Sequence, residues 1–285
     1  MSASTLARLP IVPKIARRLL GPRSWTNLTG DFRQKEHHGL IDRANYAYGL
    51  LRAADTAKFF GISAVTACEF GVATGRGLTN MADVAKMVTD ATGIRFRVVG
   101  FDTGAGLLPP SGGPKDHPEL WSGGDFAMQD PAELRRRLDG KAELILGDIA
   151  ETIDPFVKTL TPDCPLGFVS IDVDVYSGTV SALKGLSGPH DRYLPAVSFY
   201  FDDILFYFAN EACGELAAIA EHNAANPLRP IHPDRSLPGW RPASYAPWYR
   251  AMYVAHFLDH PHRNAPRERK TLSLDDHLAF VGGLR

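Results

Sequence analysis

The chain has 285 residues, with 31 Lys plus Arg against 32 Asp plus Glu, a net charge of −1 and 45% hydrophobic residues. That balance is ordinary for a globular protein with room for a sizeable core. It argues against a nucleic-acid partner, since no basic stripe interleaved with aromatics is present, and no apolar run is long enough to span a bilayer.

The amino terminus carries Arg8, Lys14, Arg17, Arg18 and Arg23, and no acid precedes Asp31. Pro10 and Pro13 interrupt any long amphipathic helix, so an ordinary basic extension or first helix is expected here, with a transit peptide or membrane-surface arm as the alternative. Apolar and aromatic spacing from Ile41 to Phe60 predicts one or two helices. Residues 1–60 thus read as a basic extension and helical cover, and residues 61–285 as the main domain.

From there strands and helices alternate. Strands are expected at Val65–Phe70, Arg95–Phe101, Leu144–Leu146, Gly167–Ile171 and Val197–Phe201. Helices are expected at Leu78–Thr89, Pro131–Leu138, Ile149–Leu160 and Thr179–Leu186. Apolar strands alternating with helices predict an α/β fold of Rossmann-like type, a mostly parallel twisted sheet with helices on both faces. Two segments break the rhythm. Gly104–Gly124 is dense in Pro and Gly and reads as a lid-like loop, with a disordered segment as the alternative. Asn226–Pro247, also Pro-rich and punctuated by Trp240 and Tyr245, reads as an acceptor-side insertion before a last edge-region strand within Ala251–Leu258. The three cysteines, Cys68, Cys164 and Cys213, are scattered without metal-ligand spacing; Cys68 reads as a small core residue, and a reducing cytoplasm fits the set.

Chemistry concentrates at strand ends. The first strand runs through Glu69 into a turn with Gly71, Gly75 and Gly77, which lets backbone approach a nucleoside closely. Later strands end at Asp102, Asp148, Asp172 with Asp174, and the pair Asp202-Asp203. Ligands of open α/β sheets bind outside the carboxyl ends of the strands, so these acids are expected to meet in one crevice. Asp102 is placed to accept ribose hydroxyls and Asp148 to meet an adenine amino group; for any single acid, helix capping is the alternative. A dinucleotide site is disfavoured, because Ala73 replaces the middle glycine of G-x-G-x-x-G and Asp102 lies well past the usual interval. Glu69 would repel a pyrophosphate but suits an ammonium or sulfonium.

These residues resemble class I S-adenosylmethionine-dependent methyltransferases, and more narrowly the macrocin O-methyltransferase family. The likeness rests on Glu69-Phe70-Gly71-Val72, Phe101-Asp102 with Gly106-Leu107, Gly124-Asp125-Phe126, Asp172-Val173-Asp174-Val175-Tyr176 with Thr179, and Asp202-Asp203, within about Arg43 to Leu205. The resemblance implies S-adenosyl-L-methionine held by Glu69, Gly71, Gly75, Asp102 and Asp148, and a Mg2+ ion on Asp172, Asp202 and Asp203. Clustered carboxylates call for protons or a cation, and magnesium prefers oxygen ligands. It also implies methylation of a hydroxyl on a small molecule of sugar or natural-product type, with Asp172 or Asp174 as proton acceptor. A metal-independent N- or O-methyltransferase, a nicotinamide oxidoreductase and a non-catalytic cofactor-binding protein are the alternatives. No histidine stands out as a base. Tyr46, Tyr48, Trp240 and Trp248 read as acceptor-pocket residues or, more simply, as core or oligomer-interface packing.

Overall fold

In the computed structural model, residues 12–206, 208–237, 241 and 246–265 are described. The start of the basic segment, Trp240 and Tyr245 lie outside them. The amino-terminal part contains α1 (Val12–Thr29, kinked at Gly21), α2 (Phe32–His37) and α3 (Ala44–Phe59). Then follow β1 (Ala64–Phe70), α4 (Arg76–Thr92), β2 (Arg95–Asp102), α5 (Pro131–Leu138), β3 (Glu143–Leu146), α6 (Ile149–Thr159), β4 (Leu166–Ile171), α7 (Tyr176–Leu183) and β5 (Tyr193–Phe201). The carboxyl-terminal part adds α8 (Gly214–Ala225), β6 (Ile231–Pro233), β7 (Met252–His256) and α9 (Pro261–Asn264).

The seven strands form one sheet in the order β3-β2-β1-β4-β5-β7-β6. Strands β1 to β5 are parallel, and β7 runs antiparallel to both β5 and β6. The expected strands and helices are all present, with shifted ends. Strand β5 begins at Tyr193, ahead of the expected Val197, and its register on β4 shifts between Tyr193 and Ser198, around Pro195. The expected last strand, β7, is not at the edge: a three-residue β6 inside the Pro-rich insertion covers it.

Because the chain winds outward from β1 through β2 to β3 and then returns to β4, the order reverses between β1 and β4. A crevice opens at such a switch point. The register places Phe101, Phe70, Ile171 and Phe201 in one row across the four central strands. Below the crevice, Phe70 stacks on Phe101 with centroids 4.6 Å apart, and Phe156 meets Phe101 edge-on at 5.0 Å. Buried rings of this kind contribute about 2 kcal/mol each and give the site a rigid floor.

Helix α3 belongs to the same core. Tyr46, Leu50, Ala54 and Ala57 are fully buried along one face, and the helix lies on β1, β4 and β5. A second tie runs to the far end of the chain: Arg241 forms a buried ion pair with Glu36 and stands over the rings of Tyr48, Trp248 and Tyr249. Among the described residues, no helix is long and apolar enough to cross a membrane.

Candidate active site

The row of buried residues that ends the central strands fixes what comes next. One step beyond Phe101, Phe70, Ile171 and Phe201 lie Asp102, Gly71, Asp172 and Asp202, each bonded through its amide or that of its neighbour to the adjacent strand. Gly71 donates to the Phe101 carbonyl (2.9 Å), Asp172 to Phe70 (2.9 Å), Asp202 to Ile171 (3.0 Å) and Gly147 to Asp102 (2.9 Å). The strand-end acids expected from the sequence therefore do gather at one edge. Glu69, Asp102, Asp148, Asp172 and Asp174 line a cleft of about 390 Å³ together with Gly71, whereas Asp202 and Asp203 are not part of its lining.

The glycine turn is shaped by contact. Gly71 has φ 86°, and a Cβ there would run into the Asp172 carbonyl; a Cβ on Gly77 would run into the Glu69 carboxyl. Gly75, also left-handed at φ 79°, caps α4 at its amino end. Ala73, where the G-x-G-x-x-G pattern has glycine, also adopts a left-handed conformation, φ 45°. Asp102 holds this turn: its Oδ2 accepts from the amides of Val72 (2.9 Å) and Ala73 (2.8 Å), and its Oδ1 from Gly104 (2.6 Å). With about four lone-pair sites per carboxylate, Asp102 keeps little free capacity, so it positions the loop as well as facing the cleft. Asp148 divides its role similarly. One oxygen caps α6 through the Ala150 amide (2.8 Å), while the residue lines the cleft.

Glu69 is buried to 1% exposure. Its Oε1 accepts from the Tyr46 hydroxyl at 2.5 Å, and Ser170 donates to that same Tyr oxygen at 3.2 Å. Its Oε2 has no hydrogen-bond partner. Burial, reinforced by Asp172 and opposed by the Tyr46 hydrogen bond, pushes the Glu69 carboxyl up to about 8. Beside it sits Arg43, half-buried in the cleft lining, with left-handed backbone (φ 47°) at the amino end of α3. Its guanidinium lies 5.2 Å from the Tyr46 ring centroid and 3.5 Å from the Tyr46 oxygen. It faces Glu69, Asp172 and Asp202 electrostatically without joining the ion pairs among the described residues. Sequence reasoning missed Arg43, since nothing local marks a residue that reaches the cleft from the helical cover.

A second group lies between the ends of β4 and β5. Oxygens of Asp172, Asp174 and Asp203 come within 4.8 Å of one another. Burial and the neighbouring carboxylates push all three up to about 7. Asp174 has a left-handed backbone, φ 60°. Strand β5 ends at Phe201 and a 3-10 turn begins at Asp203, so successive acids are free to diverge. Asp203 turns to the group, and Asp202 stands outside it, accepting from the Tyr200 hydroxyl at 2.6 Å. Behind Asp203 is a fourth acid that the sequence reading missed. Glu215 of α8 is 2% exposed, its Oε2 accepts from the Asp203 amide (3.1 Å), and burial with Asp203 and Asp172 raises its carboxyl well above the usual range. Glu215 Oε1 and Asp203 Oδ2 are both buried without a hydrogen-bond partner. Buried oxygens left so carry a cost that a cation or proton would remove.

The breaker-rich loop is anchored. Asp116 is fully buried and accepts from the amides of Ser111 (2.8 Å), Gly112 (2.5 Å) and Ser177 (2.7 Å) and from the Ser177 hydroxyl (2.8 Å). Leu107, Leu108, Ser111, Asp125 and Phe126 bring the loop and its continuation into the cleft lining. Of the aromatics considered for an acceptor pocket, Tyr46 serves Glu69, Tyr48 donates to Asp234 (2.6 Å), and Trp248 packs on Tyr48 and Tyr249. These are packing and positioning roles.

No family model and no curated protein sequence matches the chain. Among solved structures, the calicheamicin methyltransferase CalS11 is similar with a TM-score of 0.50 and 20% identity over 89% of each chain. The O-methyltransferase NovP is similar with a TM-score of 0.47 and 14% identity over 75% of this chain and 79% of its own. The sheet order, the crevice at its switch point and the likeness to CalS11 together show that this chain has an α/β Rossmann-like fold, the fold it shares with that methyltransferase.

Proposed function

We propose that the protein is an S-adenosylmethionine-dependent O-methyltransferase acting on a hydroxyl of a small molecule. The observation that carries the reading is Glu69 Oε2, a buried carboxylate oxygen without a partner inside a glycine-lined cleft. An ammonium group supplies the missing donor and the compensating charge; a pyrophosphate supplies neither. Arg43, in the same cleft, complements the carboxylate of the amino-acid end, and Asp102 and Asp148 face the nucleoside end. The cofactor, when bound, supplies a sulfonium methyl group and its own leaving group.

The donor set fits a divalent cation as well: oxygen ligands only, several carboxylates close together, and two buried unsatisfied oxygens beside them. Mg2+ would be held by Asp172 and Asp203 and would supply Lewis acidity toward acceptor oxygens, while Asp202, the third ligand expected from the sequence, stands outside the group. Within the same group, Asp174 is assigned the acceptor's proton, because its carboxyl lines the cleft beside Asp172. Glu215 fixes the Asp203 amide and with it the turn that presents the carboxylate.

The test is release of S-adenosylhomocysteine over a panel of sugar, catechol and polyketide hydroxyls, with chelator and with magnesium restored. Activity lost in chelator and regained with magnesium is expected. Full activity in chelator would leave a metal-independent methyltransferase, and no turnover with any hydroxyl despite cofactor binding would favour a non-catalytic binding protein.

A further inference from the structure

At the mouth of the cleft, three aromatic rings form a row across two separate segments. Trp121 lies 5.9 Å from Phe126 and 5.5 Å from Phe206, centroid to centroid. The row has two defined ends. Phe126 lines the cleft together with Leu108. Phe206 closes the turn that presents Asp203, its amide donating to the Asp203 carbonyl at 2.9 Å.

The rings are poorly used by the protein itself. Phe126 is 56% exposed and Phe206 46%, whereas the rings under the site, Phe101 and Phe156, are buried. Leu108, Leu120 and Leu205 are exposed alongside them. Phe126 also has a left-handed backbone, φ 60°. For a bulky side chain that conformation is an outlier costing about 1–2 kcal/mol, which persists only where the surrounding structure fixes it. Acids border the row on its inner side, with Asp125 and Asp174 in the cleft lining and Asp203 at the turn, so an anionic occupant is disfavoured there.

We propose that the methyl acceptor is an uncharged molecule with an apolar ring body that packs against the Phe126–Trp121–Phe206 shelf, whose rings are tilted 59° and 33° to one another, while its hydroxyl reaches the Asp172–Asp174–Asp203 group. This rests on the O-methyltransferase reading above. A bare sugar would leave the shelf uncovered; an aromatic or fused-ring hydroxyl compound covers it. Trp121 joins the segment after the Asp116 anchor to the turn after β5, so covering the shelf also ties the loop to the acid group.

Two probes with the same diol separate the terms: catechol, and esculetin, which fuses that diol to a second flat ring. Their affinities are measured by titration calorimetry on the S-adenosylhomocysteine-saturated protein with magnesium, for wild type, Trp121→Ala and Phe206→Ala. Esculetin is expected to bind wild type about tenfold more tightly than catechol, and each variant to bring the two within about threefold, the size expected from losing an aromatic contact. Unchanged S-adenosylhomocysteine affinity in the variants shows that they are folded. Equal binding of the two diols, binding of neither, or an esculetin advantage that survives both substitutions overturns the proposal. So does a change from dimer to monomer in the variants with diol binding intact, which would assign the shelf to a second copy of the chain. Failure of wild type to bind S-adenosylhomocysteine would instead remove the methyltransferase reading, and this inference with it.

Discussion

Glu69 links the geometry of the cleft to a measurable proton balance. Held up to about 8, it is mostly protonated at neutral pH in the free protein, and an ammonium beside Oε2 favours its ionised form. Binding of S-adenosylhomocysteine at pH 7 is therefore expected to release about one proton, read from calorimetry in buffers of different ionisation enthalpy. Proton uptake would contradict this. Arg43 has its own signature: Arg43→Gln should weaken S-adenosylhomocysteine about tenfold, the loss of one charge-assisted contact, while leaving methylthioadenosine, which lacks the amino-acid end, unaffected. The Asp172, Asp174 and Asp203 group predicts a pH effect on stability. Folded values near 7 lie above the usual carboxylate range, so the folded state binds more protons than the unfolded one between about pH 4 and 7. Stability without divalent ion should be highest near the lower end of that window and fall as the pH rises through 7. Magnesium should flatten the slope, as read from thermal midpoints; a midpoint rising across the window without magnesium would refute the assignment.

At the scale of elements, the Gly104–Gly124 loop is tethered through buried Asp116, which two hydrogen bonds from Ser177 pin to the start of α7 and two more, from Ser111 and Gly112, tie to the loop itself. A lid role remains our proposal, with movement confined to the stretches on either side of that anchor. Limited proteolysis should cut wild type slowly, Asp116→Ala quickly, and both more slowly with S-adenosylhomocysteine; equal cutting with and without ligand would make it a plain surface loop. The same loop shows where sequence reading stops. Strands β1, β2 and β4 were legible because buried apolar runs end in acids, and α5 because Asp130 and Pro131 mark its start. The convergence of the acids followed from strand ends alone. Which of Asp202 and Asp203 joins the group did not, because the chain leaves β5 through a 3-10 turn that no periodicity encodes. Asp116, Arg43 and Glu215 reach the site from a loop, the helical cover and α8, and only tertiary packing brings them there. Helix α8, rich in alanine, has too weak an apolar stripe to be read, and β6 is too short.

The whole molecule depends on closing its two ends over one sheet. Glu36 and Arg241 do this from opposite ends of the described chain, both almost fully buried. Burial raises the Glu36 carboxyl, and Arg241 opposes that rise. Arg241→Ala should cost about 3–5 kcal/mol, because an uncompensated acid is left inside, and Glu36→Gln combined with Arg241→Met should recover much of it. The check is the urea midpoint; a loss under about 1 kcal/mol for Arg241→Ala would mean that the pair is open to water. The crevice between β1 and β4 opens at the carboxyl edge of that sheet, where an S-adenosyl ligand is proposed to bind. The most direct measurement is calorimetric titration of the wild-type protein and Glu69→Gln with S-adenosylhomocysteine and with NAD. S-adenosylhomocysteine is expected to bind at about micromolar strength, at least about tenfold more weakly in Glu69→Gln, and NAD not at all. NAD binding without S-adenosylhomocysteine binding by the folded protein would contradict it.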